Sequence, residues 1–252
     1  MNNFMDDDIL NNASDDLLDN ILKSGFDDLG LPLYEGAVDR FMLYHNMLEA
    51  QNRVMNLTAI YGIENVARLH FLDCCAVLRS YDFSGKSVID IGSGAGFPGI
   101  PMKIAMPDLD ITLLDSQNKR VQFLSEVCRE LGMQEVSCVH ARAEEYLQIN
   151  NLREGFHAVV SRAVSNMSML CELCLPYVAV GGAMVAMKGP DCEQELSQAA
   201  SAIEILGGDT PIVHRYNIPG TDISHCIVVV NKIKKTPDKY PRRFAKIQKN
   251  PL

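Results

Sequence analysis

The fold of this 252-residue chain is decided by the stretch Ser87-Val88-Ile89-Asp90-Ile91-Gly92-Ser93-Gly94-Ala95-Gly96-Phe97-Pro98-Gly99. A short apolar run rich in β-branched residues ends there at four glycines, which predicts a buried strand followed by a loop that only glycine can trace. Pro98 stands where a helix would begin, with a φ already suited to a first turn. Strand end, loop and helix N-terminus would leave unpaired N–H groups for a ligand, with the Asp90 carboxylate beside them.

The glycine spacing fits two nucleotide-binding patterns. Gly94, Gly96 and Gly99 satisfy G-x-G-x-x-G, the dinucleotide fingerprint, of which a single match is a weak signal. Counted from the strand instead, Asp90 is followed by G-x-G-x-G beginning at Gly92, which resembles the nucleotide loop of S-adenosylmethionine-dependent methyltransferases. A tight turn without a ligand needs fewer glycines than this. The stretch therefore indicates a nucleotide-binding loop.

Composition indicates a soluble globular chain in a reducing compartment. The 47% apolar content suffices for a packed core, and no apolar run approaches the roughly 20 residues that cross a bilayer. The chain begins with acidic residues, unlike a basic secretory leader. Its eight cysteines lack regular spacing, and the pair Cys171 and Cys174 lies in an apolar stretch without histidine, which favours core packing over a metal. We expect a cytoplasmic monomer with no membrane contact and no metal.

Charge is distributed unevenly along the chain, whose net charge is −9. Residues 1–50 hold 11 acidic and 2 basic side chains, whereas residues 232–252 hold 8 basic and 1 acidic. The basic ones are Lys232, Lys234, Lys235, Lys239, Arg242, Arg243, Lys246 and Lys249. Such an end can contact a polyanion such as RNA, and a solvated, disordered end has the same composition.

Apolar periodicity predicts helices before residue 87 and an alternation of strands and helices after it. Residues 1–12 are expected to be disordered, and helices are expected at 14–25, 32–53, 63–81, 98–106, 118–131, 167–180 and 193–206. Strands are expected at 87–92, 110–115, 136–140, 158–161, 182–188, 212–216 and 226–230. The last two strands lack an intervening helix and should be antiparallel. We predict a helical extension over 1–85 and, over 86–252, an α/β domain with a seven-stranded, mostly parallel sheet and helices on both faces.

Ligands in such sheets bind at the carboxyl ends of the strands. Asp115 closes the second strand, 23 residues after Gly92 in the sequence. This separation is close to the one at which a carboxylate binds the ribose hydroxyls of a bound nucleoside. The alternative role for Asp115 is a helix N-cap, for which Ser116 is also available. Lys119 and Arg120 open the next helix, where a structural salt bridge and a substrate contact are equally compatible with the sequence.

The next three strands also end in candidate residues. Ala143 and Glu144 follow the third strand, where the adenine edge of a nucleoside lying across the sheet would be expected. Arg162 and Lys188 end the fourth and fifth strands. A cation buried at a strand end is costly unless it is paired, so either residue could contact a carboxylate or a phosphate.

Six motifs occur in one order along the chain. They are Asn56-Leu57-Thr58-Ala59, His70-x-x-Asp73, Ile89-Asp90-Ile91-Gly92-Ser93-Gly94-Ala95-Gly96-Phe97-Pro98-Gly99-Ile100-Pro101, Leu113-Leu114-Asp115-Ser116-x-x-Lys119-Arg120, Ser161-Arg162-Ala163 and Tyr240-Pro241-Arg242-Arg243. This ordered set resembles the ribosomal RNA small subunit methyltransferase G family, also called glucose-inhibited division protein B. Leu69 and Cys74 depart from the family pattern, which usually has Arg before the histidine and Ser after the aspartate. Arg68 is the cation nearest to the missing Arg.

The resemblance implies a class I methyltransferase fold with S-adenosylmethionine as cofactor. It implies methyl transfer to N7 of one guanosine in 16S rRNA of the small ribosomal subunit. By motif match it implies cofactor contacts at Gly92, Phe97, Ala143, Glu144 and Arg162. With the residues selected above, the predicted cofactor site is Asp90, Gly92, Gly94, Gly96, Phe97, Asp115, Ser116, Ala143, Glu144 and Arg162. The candidate RNA contacts are Arg68, His70, Lys119, Arg120, Arg242 and Arg243.

The implied chemistry needs no general base. N7 of guanine already carries a lone pair and can accept a methyl group without losing a proton, so catalysis can rest on positioning, for which Arg162 and Lys188 are candidates. Two other classes of function remain open. A nicotinamide-dependent oxidoreductase would use the G-x-G-x-x-G match and bind NAD. A non-catalytic RNA-binding or ribosome-assembly module would bind RNA without the cofactor.

Overall fold

The computed structural model describes residues 3–149, 152–162 and 165–252, and side chains for 15–148, 152–162 and 165–252. Seven strands of these residues form one sheet in the order β3-β2-β1-β4-β5-β7-β6. The strands are β1 (Ser87–Ile91), β2 (Asp110–Asp115), β3 (Val136–His140), β4 (Phe156–Arg162), β5 (Val178–Lys188), β6 (Ile212–Asn217) and β7 (Ser224–Asn231). β1 to β5 are parallel, and β7 is antiparallel to both β5 and β6. The predicted sheet and its antiparallel pair are confirmed.

The described helices are α1 (Asn3–Leu29), α2 (Ala37–Met55), α3 (Ile63–Val66), α4 (Asp73–Cys75), α5 (Gly99–Ala105), α6 (Asn118–Glu130), α7 (Ala143–Ile149), α8 (Met167–Cys174), α9 (Cys192–Ile205) and α10 (Phe244–Lys249). A π-helical turn over Ala67–Leu72 joins α3 to α4, and a 3-10 turn over Ala76–Arg79 follows. The predicted third helix is therefore a continuous helical segment whose backbone hydrogen bonding changes from α to π, back to α and then to 3-10. Such π-helical turns are frequent at functional sites, and this one carries His70.

The first helix begins at Asn3, so the prediction of disorder over residues 1–12 is wrong for residues 3–12. Buried Leu18, Leu22 and Phe26 fix the later turns of this helix against the core. Once a turn is formed, extending a helix costs little, so the helix can continue N-terminal of these buried residues. Met1, Asn2 and the motif residue Ala163 lie outside the described residues.

The helix predicted over 167–180 is too long. It ends at Cys174, a short 3-10 turn over Leu175–Tyr177 follows, and β5 begins at Val178. Pro176 cannot continue the helical hydrogen bonding, and the valines after it suit a strand. Two short helices, α7 and α10, were not predicted.

The two faces of the sheet bury two hydrophobic clusters. Strand alternation sends Val88 to one face and Ile89 to the other. The Val88 face packs against α1, α2, α5 and α6, and the Ile89 face packs against α7 to α10. Phe26 and Phe41, from the predicted extension, lie in the same hydrophobic cluster as Val88, so the N-terminal helices share one core with this face of the sheet. The Tyr44 hydroxyl of α2 donates to the Ala95 carbonyl at 2.6 Å, which ties these helices to the glycine loop.

Candidate active site

The glycine loop after β1 is traced by positive φ angles. They are 77° at Gly92, 60° at Gly94 and 109° at Gly96. A Cβ on Gly96 would lie 2.5 Å from Ile100 and 2.8 Å from the Tyr44 hydroxyl, whereas one on Gly94 would meet only the Gly92 carbonyl oxygen, at 3.9 Å. Gly96 is thus required by packing behind the loop. Gly94 is required by its backbone conformation and leaves the front of the loop bare.

Asp90 lies beneath the loop rather than in the site. It is fully buried, and its Oδ2 accepts the Gly99 N–H at 3.0 Å, while Oδ1 has no partner among the described residues. Neither Asp90 nor Gly96 lines the cavity in front of the loop. Both residues lie behind the loop, and the strand end points Asp90 at the N-terminus of α5, where it positions the loop. Their contact with the cofactor stays a prediction.

Asp90 makes stability depend on pH. Burial raises the pKa of its carboxyl to about 7. The favoured neutral form contributes stability that is fully present below the ordinary carboxyl pKa and is lost as pH rises through about 7. Asp90→Asn, which stays neutral and keeps an acceptor for Gly99, should therefore gain stability over the wild type by up to about 4 kcal/mol at pH 8, and little at pH 4.

Urea unfolding between pH 4 and pH 8 measures this difference. Asp110→Asn, at an exposed position that opens β2, is the matched control and should follow the pH profile of the wild type. A difference between Asp90→Asn and wild type that does not change with pH would contradict the role of Asp90.

The first cavity, of about 450 Å³, lies in front of the loop at the carboxyl ends of β1, β2 and β4. Eight of the ten predicted cofactor residues line it, namely Gly92, Gly94, Phe97, Asp115, Ser116, Ala143, Glu144 and Arg162. Leu114 and Leu173 add apolar surface. Arg142 and Phe244 also line it and were not predicted. The position of Arg142 after β3 could have indicated it, whereas nothing near Phe244 in the sequence points to this site.

Asp115 links the end of β2 to the loop. Its Oδ2 accepts the Gly94 N–H at 2.9 Å, and its Oδ1 accepts the Gln117 N–H at 2.8 Å before α6. Asp115 therefore closes the turn before α6 and faces the cavity, but it is not the helix N-cap, which is Gln117. Each carboxylate oxygen can accept more than one hydrogen bond, which leaves capacity for ribose hydroxyls. Arg120 lies 3.6 Å from Oδ2, so its salt-bridge alternative is observed, while Lys119 is exposed.

Arg162 forms the wall on the β4 side. Its Nη1 lies 3.3 Å from Asp73 Oδ2, and its Nη2 donates to His70 Nδ1 at 2.9 Å. Its guanidinium also lies 4.5 Å from the centre of the Phe97 ring, which stacks on His70 at 4.2 Å. Asp73 accepts two more bonds on Oδ1, from Tyr216 and His225. The guanidinium of Arg162 thus joins the loop to the π-helical turn, and its partner Asp73 extends this connection to the β6–β7 pair.

His70 is a neutral link in this wall rather than an exposed RNA contact. Burial, together with the positive charge of Arg162, lowers its pKa to about 3. Because Nδ1 accepts from Arg162, the ring proton lies on Nε2, which donates to Thr58 Oγ1 at 2.8 Å. His70 and Asp73, which the motif places three residues apart, both bind Arg162.

A second cavity, of about 670 Å³, lies on the other side of this wall. It shares His70 and Arg162 with the first cavity and is also lined by Asp73, Lys188 and Glu195. Of the two positioning candidates, Arg162 therefore faces both cavities, and Lys188 faces only the second.

Several predicted RNA contacts are instead held by the protein. Arg242 binds the fully buried Glu172 through Nε at 2.8 Å and Nη2 at 2.5 Å. Arg68 pairs with Glu64 at 3.2 Å and donates to the Pro219 carbonyl. Lys232, in the basic end, is also buried and donates to Thr236 and the Leu175 carbonyl, and burial lowers its pKa to about 8. The basic end is thus anchored, and its exposed cations are Lys234, Lys235, Lys239, Arg243, Lys246 and Lys249.

Substitutions of the neighbours Arg242 and Arg243 should differ in their effect on stability, because Arg242 is paired inside the protein and Arg243 is exposed. Arg242→Ala leaves the buried Glu172 charge unpaired and should lower the free energy of unfolding by about 3–5 kcal/mol. The exposed Arg243→Ala should change it by less than about 0.5 kcal/mol. Urea unfolding of both variants tests this contrast, and equal stabilities would show that the pair with Glu172 does not anchor the chain end.

Membrane-spanning helices and metal-binding clusters are both absent from the residues that the structure describes. Within them, no helix combines the length and apolar character that crossing a bilayer requires. They also contain no cluster of three or more histidine, cysteine or acidic side chains arranged to hold a metal ion.

Solved structures of low sequence identity share the fold. A methyltransferase from Pyrococcus furiosus matches with a TM-score of 0.51 at 15% identity, over 79% of this chain and 100% of that chain. A geranyl diphosphate methyltransferase in complex with S-adenosylmethionine also matches with a TM-score of 0.51, at 13% identity, over 68% of this chain and 88% of that chain. The predicted class I methyltransferase fold is confirmed.

Sequence comparison resolves the family. Residues 37–220 match the family model described as rRNA small subunit methyltransferase G. A ribosomal RNA small subunit methyltransferase G from Clostridium perfringens is 43% identical, over 92% of this chain and 98% of its own. Its counterpart from Clostridium tetani is 42% identical over the same shares. The family predicted from the ordered motifs is therefore confirmed, and the chain belongs to the rRNA small subunit methyltransferase G family.

Proposed function

We propose that this protein transfers the methyl group of S-adenosylmethionine to N7 of a guanosine in 16S rRNA, by in-line attack without a general base. Membership of the family establishes an rRNA methyltransferase, and the cofactor follows from that class. The finer proposal is carried by one observation, which is that two cavities meet at Arg162 and His70. One cavity suits the cofactor, and the other suits a base extruded from RNA.

The residues of the first cavity fit a sulfonium nucleoside. The bare backbone at Gly92 and Gly94 allows close approach, and Asp115 presents a carboxylate for ribose hydroxyls. Ala143 and Glu144 stand after β3 for the adenine, and Leu114 and Leu173 supply apolar surface. When bound, the cofactor supplies a methyl group on a positively charged sulfur, an electrophile that needs no metal and no acid.

The wall between the cavities suits a cationic product. Arg162 is paired with Asp73, and His70 is neutral, so the wall presents little net positive charge to a base that becomes positively charged. The N7 lone pair needs no proton removed, and the neutral His70 already uses both ring nitrogens in hydrogen bonds. These residues hold and orient the acceptor, which is the task that a positioning mechanism requires.

The experiment that tests the proposal maps the modified base. The protein is incubated with labelled S-adenosylmethionine and either 16S rRNA or small-subunit particles, and the RNA is digested to nucleosides for mass spectrometry. We expect label in 7-methylguanosine at a single position. Label on another atom or base would overturn the N7 assignment. RNA binding with no transfer would favour the non-catalytic module, and binding of NAD but not S-adenosylhomocysteine would favour an oxidoreductase.

A further inference from the structure

The second cavity holds a polar pair that methyl transfer by itself does not require. Lys188 is inside it, with 10% of its side chain exposed, and Glu195 of α9 is at its rim, with 40% exposed. Lys188 Nζ donates to Glu195 Oε2 at 2.8 Å and to the Ser165 carbonyl at 2.7 Å. An ammonium group has three protons, so these two partners leave Lys188, among the described residues, one proton to donate into the cavity.

Most of the remaining wall is apolar. It is built by Ile60, Leu69, Met187, Ile218 and Ile223. Enzymes that modify a base hold it between apolar or aromatic side chains and read it through hydrogen bonds to its edge. A cavity of about 670 Å³ that combines these apolar side chains with the Lys188–Glu195 pair and the polar groups of the Arg162 wall therefore has the composition of a base-reading site.

The orientation of the base follows from the proposed N7 chemistry, on which this inference rests. N7 must face the wall of Arg162 and His70, because that wall separates the two cavities. The N1–H and N2–H₂ groups lie on the opposite side of the purine, and O6 lies between the two edges. The far edge therefore needs a pair of acceptors, and O6 needs a donor.

Two carboxylates line the second cavity, and only one is suited to this edge. Asp73 already accepts from Arg162 on Oδ2 and from Tyr216 and His225 on Oδ1, and it is almost fully buried. Among the described residues, the hydrogen bonds to Glu195, from Lys188 and the Met167 N–H, both go to Oε2. Glu195 is thus the carboxylate that can meet an incoming base.

We propose that Glu195 accepts from N1–H and N2–H₂ of the target guanine while Lys188 donates to its O6, so that this pair selects guanine. Adenine presents the opposite pattern, with an acceptor at N1 and an amino group in place of O6. Bound in the same orientation, adenine would place its N1 acceptor against the acceptor oxygens of Glu195. Its amino group, a donor, would face the Lys188 ammonium, which is also a donor. Repulsion of this kind against the wrong partner is a common source of specificity.

The test uses inosine, which is guanosine without the 2-amino group. Small-subunit particles are reconstituted with 16S rRNA that carries guanosine or inosine at the mapped position, and kcat/KM for methyl transfer is measured for each. The wild type should prefer guanosine by about tenfold or more, because inosine lacks the 2-amino group and therefore loses one contact to the site. In Glu195→Gln the single amide oxygen is needed by Lys188 and the Met167 N–H, which turns the NH₂ donor toward N1–H and N2–H₂ of the base, so the preference should fall to near unity.

Glu193→Gln is the matched control, because Glu193 is on the first turn of the same helix and pairs with Arg215 outside the cavity. It should keep the preference of the wild type. An unchanged preference for guanosine in Glu195→Gln would overturn the proposal. A wild type with equal kcat/KM for guanosine and inosine would also overturn it, and this second result does not depend on whether the variant folds. If the product is 7-methylguanosine in those cases, the proposed function stands and only the reading of the base fails. Any other product would contradict the N7 chemistry itself.

Discussion

Gly94→Asp is expected to abolish methyl transfer, with a loss of kcat/KM of at least about 100-fold, or about 2.7 kcal/mol. Gly94 has a φ of 60° and lines the first cavity, and a Cβ there would meet only the Gly92 carbonyl oxygen, at 3.9 Å, so a longer side chain would crowd the cavity. The Gly94 N–H is also bonded to Asp115 Oδ2 at 2.9 Å, so the new carboxylate would lie near an existing one. It would therefore occupy the cofactor cavity and repel the residue that we expect to hold the ribose.

Gly132→Asp is the matched control for this variant. Gly132 has a nearly identical φ of 61° and open space around its Cβ position, but it follows α6 and does not line the first cavity. Both substitutions therefore introduce the same backbone strain and charge. Calorimetry with S-adenosylhomocysteine should show lost binding in Gly94→Asp and normal binding in Gly132→Asp. Turnover like that of the wild type in Gly94→Asp would contradict the assignment of the loop.

Arg162→Ala should also abolish methyl transfer, because it removes the wall that the two cavities share. The substitution leaves Asp73 buried without its cation and His70 without the donor to Nδ1. Leaving a buried charge unpaired costs about 3–5 kcal/mol, so this variant should also be less stable. Loss of activity in Arg162→Ala alone therefore does not separate positioning from folding.

Arg162→Lys separates the two effects. Lysine keeps the charge beside Asp73, but it cannot bind Asp73 and His70 with one planar group while stacking on Phe97. We expect turnover to fall by at least about 30-fold, while urea unfolding and the affinity for S-adenosylhomocysteine change much less. Turnover of Arg162→Lys equal to that of the wild type would show that only the charge at this position matters.

The sheet was predictable because each strand carries its own signal. Val88, Ile89 and the glycines after them define a strand and its end locally, and the absence of a helix between β6 and β7 predicts their antiparallel pairing. The segment after Cys174 was misassigned because an apolar run fits a helix and a buried strand equally well. The basic end resembles a solvated tail in composition, and only its packing through Tyr240 and Ile247 makes it part of the core.

The site was predictable where topology alone assembles it. The carboxyl ends of parallel strands share one edge, so Asp115, Ala143 and Arg162 could be placed together from the order of the strands. Where the surroundings of a residue were not predictable, the sequence did not show either a partner distant along the chain or the direction of a side chain. Arg242 was assigned to RNA because Glu172, its buried partner, is 70 residues away. Asp90 was assigned to the cofactor because the sequence shows its position in the strand but not the direction of its side chain.

The central claim is that the cavity between the glycine loop and Asp115 holds the cofactor. A crystal structure of the full chain with S-adenosylhomocysteine tests it most directly. The predicted result is ligand density in the first cavity, with the ribose hydroxyls bonded to Asp115 and the ligand lying along the backbone of Gly92 and Gly94. Density elsewhere, a cavity closed by side chains, or an Asp115 carboxylate turned away from the ligand would contradict the claim.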